Sequence, residues 1–449
     1  GYNPIKVSQA YYCEDPFLNQ LGVNPVFNLL TSTLDDNRKE NRTLHLMSEE
    51  DALSKVQKYL HRQGIDRLSP IARKVEREGT PNRRNVVLVF MESMSANLMG
   101  TFGSDKKLTP YLDSLYQQSL SFSHFYSSGI HTNHGIYSTL YSFPAIMKRN
   151  AMKGSVIPVY SGLPTVLQEN GYCNLFFMTH ESQYDNMNAF LRTNGFDEIY
   201  AQENYPSEKV VNSFGVQDDF MYQYALPILN ERAGTGNPFF SVLLSISNHP
   251  PYVIPPYFHP HSDVLEEQIV EYADWSIRQF MQAAEKQPWF DNTIFVFLGD
   301  HGKMVGTPEC EMPQSYNHIP LMIYGKDIKP GVYDGFGGQV DVSPTLLGLL
   351  NISYLQNNFG VNLLEEERPC MFFTADNLIG ARDSVNMFIY SPDSQQEFKY
   401  KLEEGKLHAA TGTDEEAFRN LKDYCFSMLQ STESLVKEHK TLDKVSVKK

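Results

Sequence analysis

The sequence is poor in cysteine: Cys13, Cys173, Cys310, Cys370 and Cys425 are scattered over 449 residues. None are paired as Cys-x-x-Cys, which rules against a thiolate metal site or a zinc ribbon. Positive charge is also scarce. Lys and Arg number 38 against 53 Asp and Glu, a formal net charge of −15, and this argues against a general nucleic-acid-binding surface. If the substrate is an anion, local charge must overcome the global field, and a bound metal ion is one way to do so. No apolar run reaches the roughly 18 residues of a membrane span. The longest, such as residues 86–91, are strand-sized. No signal peptide is present either. The chain begins at Gly1 rather than Met, which reads as the cut end of a longer protein, so the missing span carries little weight.

What is present suits a packed α/β protein. Hydrophobic residues make up 41% and aromatics 12%, enough for one large domain with an appendage or for two ordinary domains. Residues 1–82 are polar and helix-leaning. Ser48-Glu49-Glu50-Asp51 opens a pattern with Leu53, Val56 and Leu60 at helical spacing. The charged stretch 73–84 reads as a linker. From residue 85 on, apolar strand runs (85–91, 174–178, 239–246, 293–298, 319–324) alternate with helical patterns. That alternation predicts a mostly parallel central sheet sandwiched by helices. Beyond about residue 366, short runs at 371–374, 387–390 and 398–402 predict antiparallel strands, and 415–437 a closing helix. Together these form a small C-terminal α+β subdomain.

The motif Leu298-Gly299-Asp300-His301-Gly302 follows the apolar run Thr293-Ile294-Phe295-Val296-Phe297. Open α/β sheets place their chemistry at the carboxyl edge of the strands. Asp300 and His301 there offer one oxygen and one nitrogen ligand to a divalent metal. Glu92 stands in the same position after Val86-Val87-Leu88-Val89-Phe90-Met91. Alone it reads equally as a solvated carboxylate or a helix cap. Thr132, in Ser128-Gly129-Ile130-His131-Thr132-Asn133-His134-Gly135, reads as a helix N-cap or as a nucleophile at a helix N-terminus, where free N–H groups favour an anion. His249 in Asn248-His249-Pro250-Pro251-Tyr252 and His318 in Asn317-His318-Ile319-Pro320 are singly more typical of surface or structural histidines. Beside an Asp-His site they suit an anion. Carboxylates, an imidazole and a hydroxyl suit Mn²⁺, Mg²⁺ or Zn²⁺, and metal coordination would activate a Thr hydroxyl as a nucleophile. His249 and His318 would then donate to phosphoryl oxygens or protonate a leaving group.

These residues, in this order, resemble the alkaline phosphatase/sulfatase superfamily. More narrowly they are similar to its membrane-anchored phosphoglycerol transferases, the lipoteichoic acid synthase-like branch. The segment 85–93, the Thr132 segment, 298–302 and Gly338-Gln339-Val340-Asp341-Val342-Ser343-Pro344-Thr345-Leu346-Leu347 carry the likeness, with support from Leu108-Thr109-Pro110-Tyr111-Leu112-Asp113 and Asn194-Gly195-Phe196-Asp197. It spans about residues 84–352. It implies an alkaline phosphatase-like α/β sandwich. It also implies one divalent metal, commonly manganese, on Glu92, Thr132, Asp300 and His301. Thr132 would become phosphorylated, and His249 and His318 would contact the substrate phosphate. The donor would be a phospholipid headgroup and the acceptor a glycan or lipid. Residues 1–82 would link a missing N-terminal membrane region to a catalytic domain at 83–365, followed by the subdomain at 366–449. The catalytic domain would lie on the extracytoplasmic side of a bacterial cell membrane.

Three departures bear on the choice within the superfamily. Sulfatases mature a Cys or Ser in Cys/Ser-x-Pro-x-Arg to formylglycine, whereas this chain has His131-Thr132-Asn133-His134-Gly135, which disfavours sulfate ester hydrolysis. Lipoteichoic acid synthases carry a Trp and an Arg after the region matching Thr179-His180; here the chain reads Tyr184-Asp185-Asn186-Met187-Asn188. The phosphoethanolamine branch usually has several disulfides, which sparse cysteine opposes. A phosphodiesterase or sulfatase-like hydrolase and a non-catalytic anion-binding ectodomain are the alternatives.

Overall fold

A computed structural model describes residues 38–154, 156–411 and 415–445. The expectations for residues 1–37 and for residues 446–449 lie outside the described residues. Eight strands form the central sheet: β1 (Asn85–Met91), β2 (Leu120–Tyr126), β3 (Cys173–Met178), β4 (Glu198–Tyr200), β5 (Phe239–Leu244), β6 (Thr293–Gly299), β7 (Leu321–Tyr324) and β8 (Gly331–Gly338). Their order is β8-β2-β7-β6-β1-β5-β3-β4. All run the same way except β7, which is antiparallel to both β6 and β2. The α/β expectation therefore holds.

Strand β1 lies at the centre, paired in parallel with β5 and β6, and every one of its residues is buried. A strand covered on both faces has no solvent side, which is why its sequence is a continuous apolar run rather than an alternation. Successive side chains still point to opposite faces. Val86, Leu88 and Phe90 share a core with Ile136, Leu140, Leu167, Phe190 and Leu346. Those residues belong to helices α3 (Thr132–Tyr141), α4 (Leu163–Glu169), α5 (Met187–Thr193) and α8 (Val342–Leu349). Val87, Val89 and Met91 pack on the other side with Leu112, Leu115, Met221, Leu229, Ile277 and Phe280. These come from α2 (Pro110–Gln118), α6 (Asp218–Ala233) and α7 (Leu265–Ala284).

The C-terminal region forms a five-stranded antiparallel meander: β9 (Met371–Thr374), β10 (Ile379–Arg382), β11 (Asn386–Ser391), β12 (Gln396–Glu403) and β13 (Lys406–Ala409). Two of these strands, β10 and β13, were not legible as apolar runs. The closing helix α9 (Glu415–Lys437) packs on α1 (Glu49–Tyr59), with the Tyr59 and Tyr424 rings 5.0 Å apart. Ser48 caps α1 by accepting from the Asp51 amide. Residues Arg73–Val75 pair antiparallel with Tyr354–Gln356, and the Arg73 guanidinium grips Glu366 with two hydrogen bonds of 2.8 and 2.7 Å. The charged stretch is thus docked onto the body by its ion pair. A buried bidentate pair, Arg368 on Asp341 at 2.8 and 2.6 Å, ties the segment entering the meander to the start of α8. Among the described residues, no helix is long and apolar enough to cross a membrane.

Candidate metal and nucleophile site

Register explains how distant residues meet. Met91 of β1 pairs with Gly299 of β6, so Glu92 and Asp300 leave the sheet side by side at one edge. Beyond the same edge, the turn after β5 brings Ser245, whose hydroxyl accepts the Glu92 amide at 2.9 Å. Strand β7 runs the opposite way, so residues preceding it also reach this edge.

Glu92 and Asp300 are both buried, at 1% and 0% exposure, although each is a carboxylate. Asp300 Oδ1 accepts the amides of Ser93 (2.9 Å) and His301 (2.7 Å). Its Oδ2 is buried with no hydrogen-bond partner. Glu92 Oε1 accepts the Ser93 hydroxyl at 2.9 Å. His301 Nδ1 faces the Gly302 carbonyl at 2.7 Å, and since a carbonyl can only accept, that nitrogen carries the proton. Nε2 is left to the two carboxylates, 3.5 Å from Glu92 Oε1 and 3.5 Å from Asp300 Oδ2. A backbone bond that fixes one ring nitrogen commonly prepares the other as a metal ligand. Ligand atoms of Glu92, Asp300 and His301 all lie within 4.8 Å of one another.

Electrostatics point the same way. Burial, reinforced by the Glu92 charge, pushes the Asp300 carboxyl up to about 8. Burial also works against ionised Glu92, but hydrogen bonding and charge from His301 outweigh it and hold that carboxyl at about 2. For His301 burial opposes the imidazolium, yet the charges of Asp300 and Glu92 raise it to about 10. Two buried carboxylates and a partly exposed imidazole therefore share protons at close range. A divalent cation satisfies the orphaned Asp300 Oδ2 and replaces those protons, so the donor set fits a metal.

Thr132 Oγ1 lies 3.2 Å from Glu92 Oε2. It is the first residue of α3; the N-cap is His131, which makes no side-chain cap bond. The N-cap reading of Thr132 thus shifts by one residue, leaving its hydroxyl directed at the carboxylate. Gly135 lets α3 approach this closely, because a Cβ there would collide with the Asp300 carbonyl oxygen. The loop before α3 is held from three sides. Ser128 donates its amide to Gln339, and its carbonyl accepts from Thr374 of β9. His131 Nε2 lies 2.6 Å from Asp376, so the C-terminal meander touches the residue next to Thr132.

The two further histidines differ in setting. His249 packs on Phe214 with ring centres 4.3 Å apart, and its Nδ1 faces the Pro250 carbonyl at 2.6 Å. Its charge is felt at Glu92, which puts it in the neighbourhood of the cluster. His318 is buried, stacked on Tyr126 and edge-on to Phe102, with Nε2 2.8 Å from the Ser123 carbonyl. That nitrogen serves the backbone. Several neighbours were not singled out from sequence. Ser93 and Lys303 adjoin the motifs and were readable as flanking residues. Asn248, whose amide donates to the Glu92 and Ser93 carbonyls, lies beside His249. Buried His180 feels the Glu92 charge, and burial lowers its pKa. Asp376 had no signal at all, being 245 residues from its partner His131.

A family model described as Sulfatase matches residues 84–352, more than half of the chain. The chain belongs to the sulfatase family. A lipoteichoic acid synthase-like protein of Bacillus subtilis is 25% identical over 362 residues, 73% of this chain and 56% of that protein. A lipoteichoic acid synthase of Staphylococcus aureus is 24% identical over 400 residues, covering 78% and 58% respectively. The chain thus spans little more than half the length of these relatives. A solved protein of the alkaline phosphatase superfamily from Vibrio parahaemolyticus superposes with a TM-score of 0.81 at 25% identity, covering 90% of this chain and 99% of that one. A lipoteichoic acid synthase from Listeria monocytogenes gives 0.69 at 22%, covering 86% and 98%. The sulfatase-family fold is thus shared with enzymes named as synthases.

Proposed function

We propose that this sulfatase-family domain is a metal-dependent phosphotransferase that moves a phosphoglycerol-type headgroup from a phospholipid to a glycan or lipid hydroxyl. The observation that carries the reading is the Thr132 hydroxyl on the Glu92 carboxylate, beside a three-ligand cluster whose two carboxylates are buried. Glu92, Asp300, His301 and Thr132 would hold one divalent ion, Mn²⁺ by preference, and the ion would supply Lewis-acid stabilisation of the phosphoryl oxygens. Thr132 Oγ1 attacks phosphorus and gives up its proton. The bond from phosphorus to the diacylglycerol oxygen breaks, and that oxygen is protonated as it leaves. An acceptor hydroxyl then attacks the same phosphorus and loses its proton, the Thr132 Oγ1–P bond breaks, and Thr132 Oγ1 takes up a proton, so the step is proton-neutral.

His249 flanks this centre and is the substrate-facing histidine in the reading. His318 supports the edge from within. Asp185, the acidic residue where the synthases carry basic and aromatic ones, is paired with Lys153 at 3.3 Å, which reduces its repulsion toward a phosphate. In this proposal residues 83–365 are the catalytic unit and 366–449 the subdomain that braces the nucleophile loop. Residues 1–82 lead from a membrane anchor, and the catalytic unit works on the extracytoplasmic side. The similarity to proteins named lipoteichoic acid synthases supports this assignment.

The test is intact-mass analysis after incubation with phosphatidylglycerol and Mn²⁺. A glycerophosphate adduct is expected on the wild type and none on Thr132→Ala. An adduct on the Ala variant refutes Thr132 as nucleophile. Products formed with and without an added acceptor alcohol separate transfer from hydrolysis.

A further inference from the structure

Lys303 is a cation beside the cluster that the proposed chemistry has not yet used. Its main chain is clamped: the Lys303 amide donates to Ser95 Oγ at 2.8 Å, and the same hydroxyl donates back to the Lys303 carbonyl at 3.0 Å. Gly302 before it permits the tight turn, since a Cβ there would strike the Ser315 carbonyl. The side chain is half-buried and crosses to the turn after β5. There its ammonium donates to Asn248 Oδ1 at 2.7 Å and lies 5.5 Å from the centre of the Tyr252 ring. Asn248 is itself only 1% exposed and is fixed by its bonds to the Glu92 and Ser93 carbonyls. An ammonium has three N–H donors. Asn248 uses one; among the described residues the other two have no carboxylate or carbonyl acceptor.

A charge count gives this cation a purpose. Glu92 and Asp300 bring two negative charges, which a divalent ion offsets. A phosphodiester brings one more, and the Thr132 oxygen develops another as it loses its proton. Lys153 is already engaged by Asp185. Lys303 adds a further fixed positive charge at this edge, favoured by the charges of Glu266 and Glu92. Fixed cations placed where negative charge accumulates are a large source of transition-state stabilisation.

We propose that Lys303, held by Asn248 and the Ser95 clamp, is a phosphate-binding residue that donates to a non-bridging oxygen of the donor's phosphodiester. This rests on the phosphotransferase reading above. The rival role is purely structural, with Lys303 serving only to hold Asn248. Lys303→Gln and Lys303→Arg together separate the two, because Gln keeps an N–H donor one bond shorter and loses the charge, whereas Arg keeps both charge and donors.

The experiment titrates inorganic phosphate into Mn²⁺-loaded protein by calorimetry and measures turnover of phosphatidylglycerol. Lys303→Gln is expected to weaken phosphate binding at least tenfold and to lower kcat/KM for the donor by a similar factor. Mn²⁺ affinity should stay within about twofold, and Lys303→Arg should recover most of the loss. Lys326→Met, which removes an exposed lysine paired with Asp291 far along the chain, is the charge control and should bind phosphate as the wild type does. If Lys303→Gln binds phosphate like the wild type, or loses free phosphate while turning over the donor normally, the proposal is overturned. If Gln and Arg lose Mn²⁺ affinity together, Lys303 is structural and the proposal is again overturned. Failure of the broader reading has a different signature: wild-type protein that forms no Thr132 adduct.

Discussion

Replacing Asp300 with Asn offers a test that separates stability from function. In metal-free protein, burial and the Glu92 charge favour the protonated form of Asp300, raising it from 3.8 to about 8. The unfolded chain would release that proton. Retaining it costs about 1.4 kcal/mol per pH unit, or about 4 kcal/mol between the unfolded value and pH 7. Asn is nearly the shape of the protonated acid. Its Oδ1 can still accept the Ser93 and His301 amides that Asp300 accepts now. The variant should therefore be more stable than wild type when both are metal-free, by on the order of 1–4 kcal/mol, with the imperfect fit of the amide toward Glu92 setting the lower figure. The direction with pH follows from the raised value. This group's share of wild-type stability is complete below 3.8 and declines as pH climbs through about 8, and the variant lacks that decline. Urea denaturation in EDTA at pH 5 and pH 8, followed by the fluorescence of Trp275 and Trp289, reads both quantities. Mn²⁺ should then raise the wild-type midpoint and leave that of the variant nearly unchanged. A metal-free variant no more stable than wild type at pH 8 would refute the reasoning, as would equal stabilisation of both by Mn²⁺.

Other consequences can be measured independently. Burial holds His318 at about 4 and His134 at about 3, so both are neutral in the native state and must charge on acid unfolding. Their contribution is intact above about 6.5 and is lost as pH falls toward those values, at up to about 1.4 kcal/mol per unit for each. His318→Gln should flatten the acid side of a stability–pH curve, and an unchanged slope would contradict this. Arg368→Met leaves buried Asp341 without its partner, which should cost about 3–5 kcal/mol in urea denaturation. Gly135→Ala drives a methyl into the Asp300 carbonyl, so Mn²⁺ affinity by calorimetry should fall at least tenfold even where the protein remains folded. Asp376→Ala removes the partner of His131 beside the proposed nucleophile and should slow adduct formation on Thr132 more than it lowers Mn²⁺ affinity.

The run 86–91, the Asp300-His301 pair and the alternation of strands and helices were legible because each is a local pattern with a direct physical cause. A doubly covered strand must be apolar throughout, and a carboxylate placed just after it must lie at the carboxyl edge. The edge strands and the meander were harder. Strand β13 is exposed over most of its length, so its sequence carries no apolar run. Small residues in β10, Gly380 and Ala381, gave no apolar signal either.

By itself, the sequence determined the α/β sandwich and the family, and it singled out Glu92, Thr132, Asp300 and His301, which the structure brings together at one edge. These depend on residues whose roles follow from their place in a strand or motif. Only the tertiary structure decided which atoms face one another. It left Asp300 Oδ2 without a partner, committed the His318 Nε2 to a backbone carbonyl, set Asp376 against His131, and carried the Lys303 ammonium across to Asn248. Those contacts join strands and loops far apart in the chain. The direction of a side chain depends on sheet register and on the packing of neighbouring layers, and no local pattern encodes either one.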